Sequence, residues 1–261
     1  TASLLTHRDT VVVASVSCIY GLGSPLEYKE RMLVFEKGAE MEQRALLARL
    51  VEMQYQRNDL VIERGNFRVK GDTLEIQIES IELTADWGWN IIRPLKGALP
   101  DRFSRLSRRI IPIDRQAGLA RLPWGVDVPL QPFFGIIGVA PPPHYGKVSS
   151  IEPREYGGNI DCKEFIPGTS LFLPVFVPGG HVSVGDGHAV QGDGEVCLTA
   201  LETCLKGRFR IVLHRRSLNF PRAMTPSHYI TLGMNVDLDD AATQALNLMI
   251  DWLVELKGWD A

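Results

Sequence analysis

The stretch VGDGHAVQGDGE, residues 184–195, sets Asp186, His188, Asp193 and Glu195 among four glycines. Carboxylates and imidazole are among the side chains that ligate Zn²⁺, whereas all-oxygen sets suit Ca²⁺. Asp186 and His188 are two apart, so on a strand they share one face. Asp193 and Glu195 repeat that spacing after a short turn, and the glycines let the backbone approach a ligand closely or take positive φ. Two other chemistries fail on spacing. Counted from Asp186, an EF-hand needs an oxygen ligand at its third position and Glu at its twelfth, where this chain has His188 and Cys197. A phosphate-binding loop would carry a lysine and lead into a helix, whereas this one carries acids. A plain turn rich in Gly and Asp fits the same letters, and the residues alone leave that open. A second Gly-rich turn, YGGNID (156–161), ends in Asp161. His144 and His181 read as structural histidines, and Cys197 and Cys204 as buried in an apolar strand.

These residues need elements to hold them. Beyond residue 84 the chain is rich in Pro and Gly with short apolar runs. Segments 132–143, 169–178, 194–203 and 208–215 fit strands bounded by breakers. DLDDAATQALNLMIDWLVELKG (237–258) predicts a helix with an acidic start and Gly258 as its stop. Before them, TVVVASVSCIYG (10–21) predicts a buried strand. Ser24-Pro25 offers a helix start, Gly38 a stop, and 39–59 an amphipathic helix with Leu46, Leu50 and Met53 on one track and Leu47 and Val51 on another. Residues 60–83 switch to period two, as two or three short strands joined at 64–66 and 70–72. The fold class is therefore α+β: a small α/β N-terminal segment, then a mainly β domain with a C-terminal helix.

Composition narrows the partners. The 261 residues are 45% apolar and 23% charged, enough for a real core. A net charge of −3 argues against a broad nucleic-acid surface. The basic cluster DRFSRLSRRIIPIDR (101–115) reads as a solvated loop, with contact to an anionic partner as the alternative. No apolar run approaches the ~18 residues of a membrane span. None of the four cysteines forms a C-x-x-C pair, so neither a zinc ribbon nor a redox dithiol is signalled, and so few cysteines in a chain this long suit a reducing compartment such as the cytoplasm. The opening TASLLTHRDT is unlike a signal peptide, and a start without Met is expected to be a cut point or a processed end.

Two resemblances follow. VVVASVSCIYGLGSPLEY, then RALLARLVEMQYQRNDLVIERGNFRVKGD, resemble the UvrB family of nucleotide excision repair, over residues 1 to about 72. The resemblance implies a region that docks onto UvrA, with Arg57 and Arg68 on the docking surface. Lys70 stands where the family often has a second arginine, keeping the charge but losing the bidentate fork. No G-x-x-x-x-G-K-[ST] loop occurs, so ATP hydrolysis is not expected.

ADWGWNII (85–92), GVAPPP (138–143), PREYGGNIDCKEF (153–165), GTSLFLPVFVPGG (168–180) and VGDGHAVQGDGEVCLTALET (184–203) resemble the acetamidase/formamidase family, over 72–261. This implies a mainly β amidohydrolase that uses bound metal to cleave a small aliphatic amide, of the formamide or acetamide type, to carboxylate and ammonia. The residues suit that chemistry, since an amide needs an activated water and a polarised carbonyl. Asp161, Asp186 and His188 are the expected ligands of a divalent metal, zinc ahead of calcium. Glu195 is the candidate general base, and a backbone N–H of Gly157 or Gly158 the candidate oxyanion donor.

The resemblances meet within RVKGDTLEIQIE (68–79), which suggests a chimera with a UvrB-like segment at 1–71 and an amidase-like domain at 72–261, truncated at both ends. Missing strands would leave unpaired edges, so a homo-oligomer is expected. Two further readings remain: a UvrA-binding module without ATPase activity, and an inactive recombined or engineered chimera.

Overall fold

The computed structural model describes residues 43–53, 55–57, 66–67 and 72–258. Contacts divide the chain into two units, one ending at Val69 and the other beginning at Lys70. In the first unit, helix α1 (Gln43–Glu52) half-buries Leu46 and Leu50, with Met53 just beyond, and leaves Val51 exposed. The track at spacing four and three is thus the one turned inward. Two short strands, β1 (Gln56–Arg57) and β2 (Asn66–Phe67), pair in parallel. The expected strand at 10–21, the helix start at 24–25, the stop at 38 and Arg68 lie outside the described residues.

The second unit is built from antiparallel strands. In β3 (Thr73–Leu83) alternation turns Leu74, Ile76 and Ile78 into the core. The chain then forms β4 (Trp87–Ile92), β5 (Ser107–Asp114), β6 (Leu119–Arg121), β7 (Asp127–Pro129) and β8 (Phe133–Gly138). After these come β9 (Gly157–Asn159), β10 (Ser170–Pro174), β11 (Ser183–Val190) and β12 (Leu201–Glu202). The last strands are β13 (Leu205–His214), β14 (Arg222–Met224) and β15 (Tyr229–Thr231). One sheet runs β13-β3-β10-β14-β15 and the other β7-β6-β5-β4-β12-β11-β8-β9. Leu74, Ile76, Ile78, Leu171 and Leu173 from the first sheet meet Phe134 and Ile137 from the second in one apolar cluster. Face-to-face packing of this kind hides one side of each sheet. A second cluster, Ile111, Ile113, Ala120, Ala189 and Leu201, lies within the larger sheet.

Helix α2 (Leu238–Lys257) forms as its ends dictate. Asp237 accepts from the N–H groups of Asp239 and Asp240 at 2.9 and 3.2 Å. Gly258 sits at φ 65° and donates its N–H to the Val254 carbonyl. On its inner face Trp252 is buried against Tyr229, with the Arg222 guanidinium 4.4 Å above its ring and held by Glu255.

Three local expectations need correction. Residues 107–114 of the basic cluster form β5 rather than a loop, because Ile111 and Ile113 alternate into the core. The run 194–203 is not one strand: only Leu201–Glu202 is extended, after a short 3₁₀ turn at Asp193–Glu195. Cys197 and Cys204 are exposed rather than buried.

Candidate active site

The sheet order places β11 between β12 and β8. Gly187 and His188 pair with Phe134 and Phe133 of β8, and His188 pairs on its other side with Glu202 of β12. His188 is 1% exposed, with the Phe133 ring edge-on at 4.8 Å. Its Nε2 lies 3.3 Å from Asp186 Oδ2, 3.3 Å from Glu202 Oε2 and 4.0 Å from Asp161 Oδ1. Neither ring nitrogen makes a hydrogen bond of acceptable geometry, and Asp161 Oδ1 is also buried without a partner.

Space for this cluster comes from β8. A Cβ on Gly135 would lie 2.5 Å from Asp161 Oδ1, 2.7 Å from His188 Cε1 and 2.9 Å from Asp186 Oδ2. Asp161 is brought in by its backbone, whose N–H donates to the Gly135 carbonyl at 3.1 Å. Asp161, Asp186 and Glu195 all hold positive φ, at 51°, 59° and 45°. Left-handed backbone at non-glycine residues costs energy and is retained where the surroundings impose it, often at functional sites.

The charges follow from this crowding. Burial alone would disfavour an imidazolium, but contacts with Asp186 and Glu202 outweigh it and raise His188 to about 10. Contact with His188 holds Asp186 below the usual carboxylate range against the effect of burial. Burial raises Asp161 to about 6, with His188 opposing and the Asp186 and Glu202 charges adding. Burial also raises Glu202, and it raises Glu195 to about 7 with the help of the Asp161 charge. The pocket therefore favours positive charge at its centre.

A divalent cation fits that demand. Ligand atoms of Asp161, Asp186 and His188 lie within 4.8 Å of one another, and so do those of His188, Glu195 and Glu202. The donor set is one imidazole with carboxylates, and two of its buried orphan atoms, His188 Nε2 and Asp161 Oδ1, are ones a cation would satisfy.

The four site side chains picked out by type and spacing thus come together. Asp193 does not join them: it is exposed and paired with Lys163 at 2.8 Å. Glu202 was missed. It ends the apolar run CLTAL, and its one signal was a lone acid closing such a run, which here becomes a buried carboxylate. Gly157 gives its N–H to the Arg154 carbonyl at 2.8 Å, and Gly158 is paired with Ile137 in the ladder to β8. An oxyanion donor from this turn would have to give up a bond that holds the strand. Arg57 lies in β1, in the other unit.

Comparison with known proteins gives two distinct likenesses. Residues 145–256 match the Acetamidase/Formamidase family and residues 33–84 match the UvrB interaction domain. The acetamidase of Bacillus halodurans superimposes with a TM-score of 0.66 at 32% identity, over 71% of this chain and 62% of that one. The acetamidase of Yersinia enterocolitica gives 0.67 at 30% identity, over 73% and 60%. UvrABC system protein B of Thermobifida fusca (strain YX) is 66% identical over 76 residues, 29% of this chain and 11% of that protein. The fold is thus acetamidase-type, preceded by a segment similar to the UvrB interaction domain. The chain spans about three fifths of the acetamidases and about a tenth of the UvrB relative. The UvrB match runs to residue 84 and so takes in β3, an interior strand of the smaller sheet. No helix among the described residues is long and apolar enough to cross a membrane.

Proposed function

We propose that the chain is a metal-dependent amidohydrolase acting on a small aliphatic amide such as formamide or acetamide. The observation that carries this reading is the buried His188 Nε2, without a hydrogen bond and within 4.0 Å of three carboxylates. Asp161, Asp186 and His188, joined by Glu202, would hold the cation, with zinc favoured over calcium by the imidazole. When bound, such an ion polarises the amide carbonyl and makes water more acidic. Glu195, with a pKa near 7, is suited to take a proton from the attacking water and return it to the leaving nitrogen. The water oxygen bonds to the carbonyl carbon, the C–N bond breaks, and carboxylate and ammonia leave. Ammonia release from formamide or acetamide, abolished by chelator and restored by zinc, is the expected result. Full activity after Asp186→Ala and His188→Ala together would sink the assignment. Free Cys162, Cys197 and Cys204 suit the reducing cytoplasm we assign to the chain.

A second reading rests on the match of residues 33–84 to the UvrB interaction domain. In it this segment docks onto UvrA, with Arg57 and Arg68 as contacts. Capture of the chain by UvrA, weakened by Arg57→Ala with Arg68→Ala, supports it; capture unchanged by that pair removes the two arginines from it.

A further inference from the structure

Gln191 follows β11 directly and is held by Asp161. Its Nε2 donates to the Asp161 backbone carbonyl at 2.7 Å, while its Oε1 is buried and has no partner. The bond to a carbonyl fixes which end is which: turning the amide over would set oxygen against oxygen. The side chain therefore keeps a neutral, desolvated acceptor beside a residue whose carboxylate is 4.0 Å from His188 Nε2. Buried acceptors are rarely left without a donor. The neighbouring site groups are carboxylates and an imidazole, which the proposed reaction uses for the cation and for proton transfer. Of them only Glu195 meets the amide nitrogen, and it does so to deliver a proton rather than to accept the substrate's N–H.

We infer that Gln191 is a specificity-determining residue whose Oε1 accepts a hydrogen bond from the substrate's amide N–H. This rests on the amidohydrolase reading above. A primary amide brings two N–H donors, whereas an ester, a tertiary amide and the product carboxylate bring none. The site then favours the substrate over its own product and over oxygen esters, because only the amide satisfies the buried acceptor.

The test uses the zinc-loaded full chain. For acetamide, kcat/KM of Gln191→Leu is expected to fall by about 10- to 100-fold, the size of one lost hydrogen bond in a desolvated site. Inhibition by N,N-dimethylacetamide, which has no N–H, is expected to change by less than about twofold, and bound zinc to stay constant. Equal losses for both compounds would mean that Gln191 only holds the Asp161 loop, and no loss for either would remove it from recognition; both results overturn the inference. If the variant does not fold, the wild type decides: acetamide must bind at least about tenfold more tightly than N,N-dimethylacetamide, and equal binding overturns the inference. Failure of the wild type to release ammonia from any small amide would instead overturn the hydrolase reading itself, and Gln191's role with it.

Discussion

His188 and Glu202 face one another across the β11–β12 ladder, with Nε2 and Oε2 3.3 Å apart. The pair is buried on both sides, so the carboxylate cannot move into water when the imidazole loses its charge. Glu202 is further fixed by the Ala200 N–H, which donates to its other oxygen at 3.1 Å.

Glu202→Gln should keep the shape and this backbone contact while removing one negative charge. Zinc affinity, measured by competition with a chromophoric chelator, is expected to fall by about 10- to 100-fold, as when a metal site loses one of its supporting groups. An unchanged affinity would take Glu202 out of the site.

Gly135→Ala tests the space rather than the ligands. Its methyl would press on the ends of Asp161, His188 and Asp186, not on backbone. Overpacking of this kind costs about 1–3 kcal/mol. Zinc binding should be lost while a cooperative melting transition survives at a lower Tm. Retained binding would show that the three side chains do not need to converge there.

The metal-free protein should lose stability as pH rises. His188 is raised from 6.5 to about 10, so its contribution is complete below about pH 6.5 and disappears as pH passes through about 10. Asp161 and Glu195, raised to about 6 and about 7, act in the same direction between their ordinary values and those points. Asp186, which is lowered, opposes them only in acid. Tm after chelation should therefore fall between pH 5 and 10, and His188→Ala should flatten the alkaline part. Zinc competes with the proton on His188, so its affinity should rise over the same range. A Tm that climbs with pH would contradict this charge arrangement.

Asp237→Ala removes the cap of α2 and should cost about 0.5–2 kcal/mol, visible as a lower Tm with zinc binding unaltered.

Much of this molecule is written in short-range pattern. The alternation in TLEIQIESIEL specifies β3, Asp237 and Gly258 mark the ends of α2, and the spacing of Asp186 and His188 marks a pair of ligand types on one strand. Such features depend on period and on end groups, which a sequence displays directly. The partners of that pair depend on which strands lie side by side. Only the assembled sheets bring Asp161 from the turn after β9 and Glu202 from β12 to His188, open room at Gly135, and turn Asp193 outward to Lys163. Register between distant strands is set by burial of both sheet faces at once, a sum over the whole core that no local stretch carries.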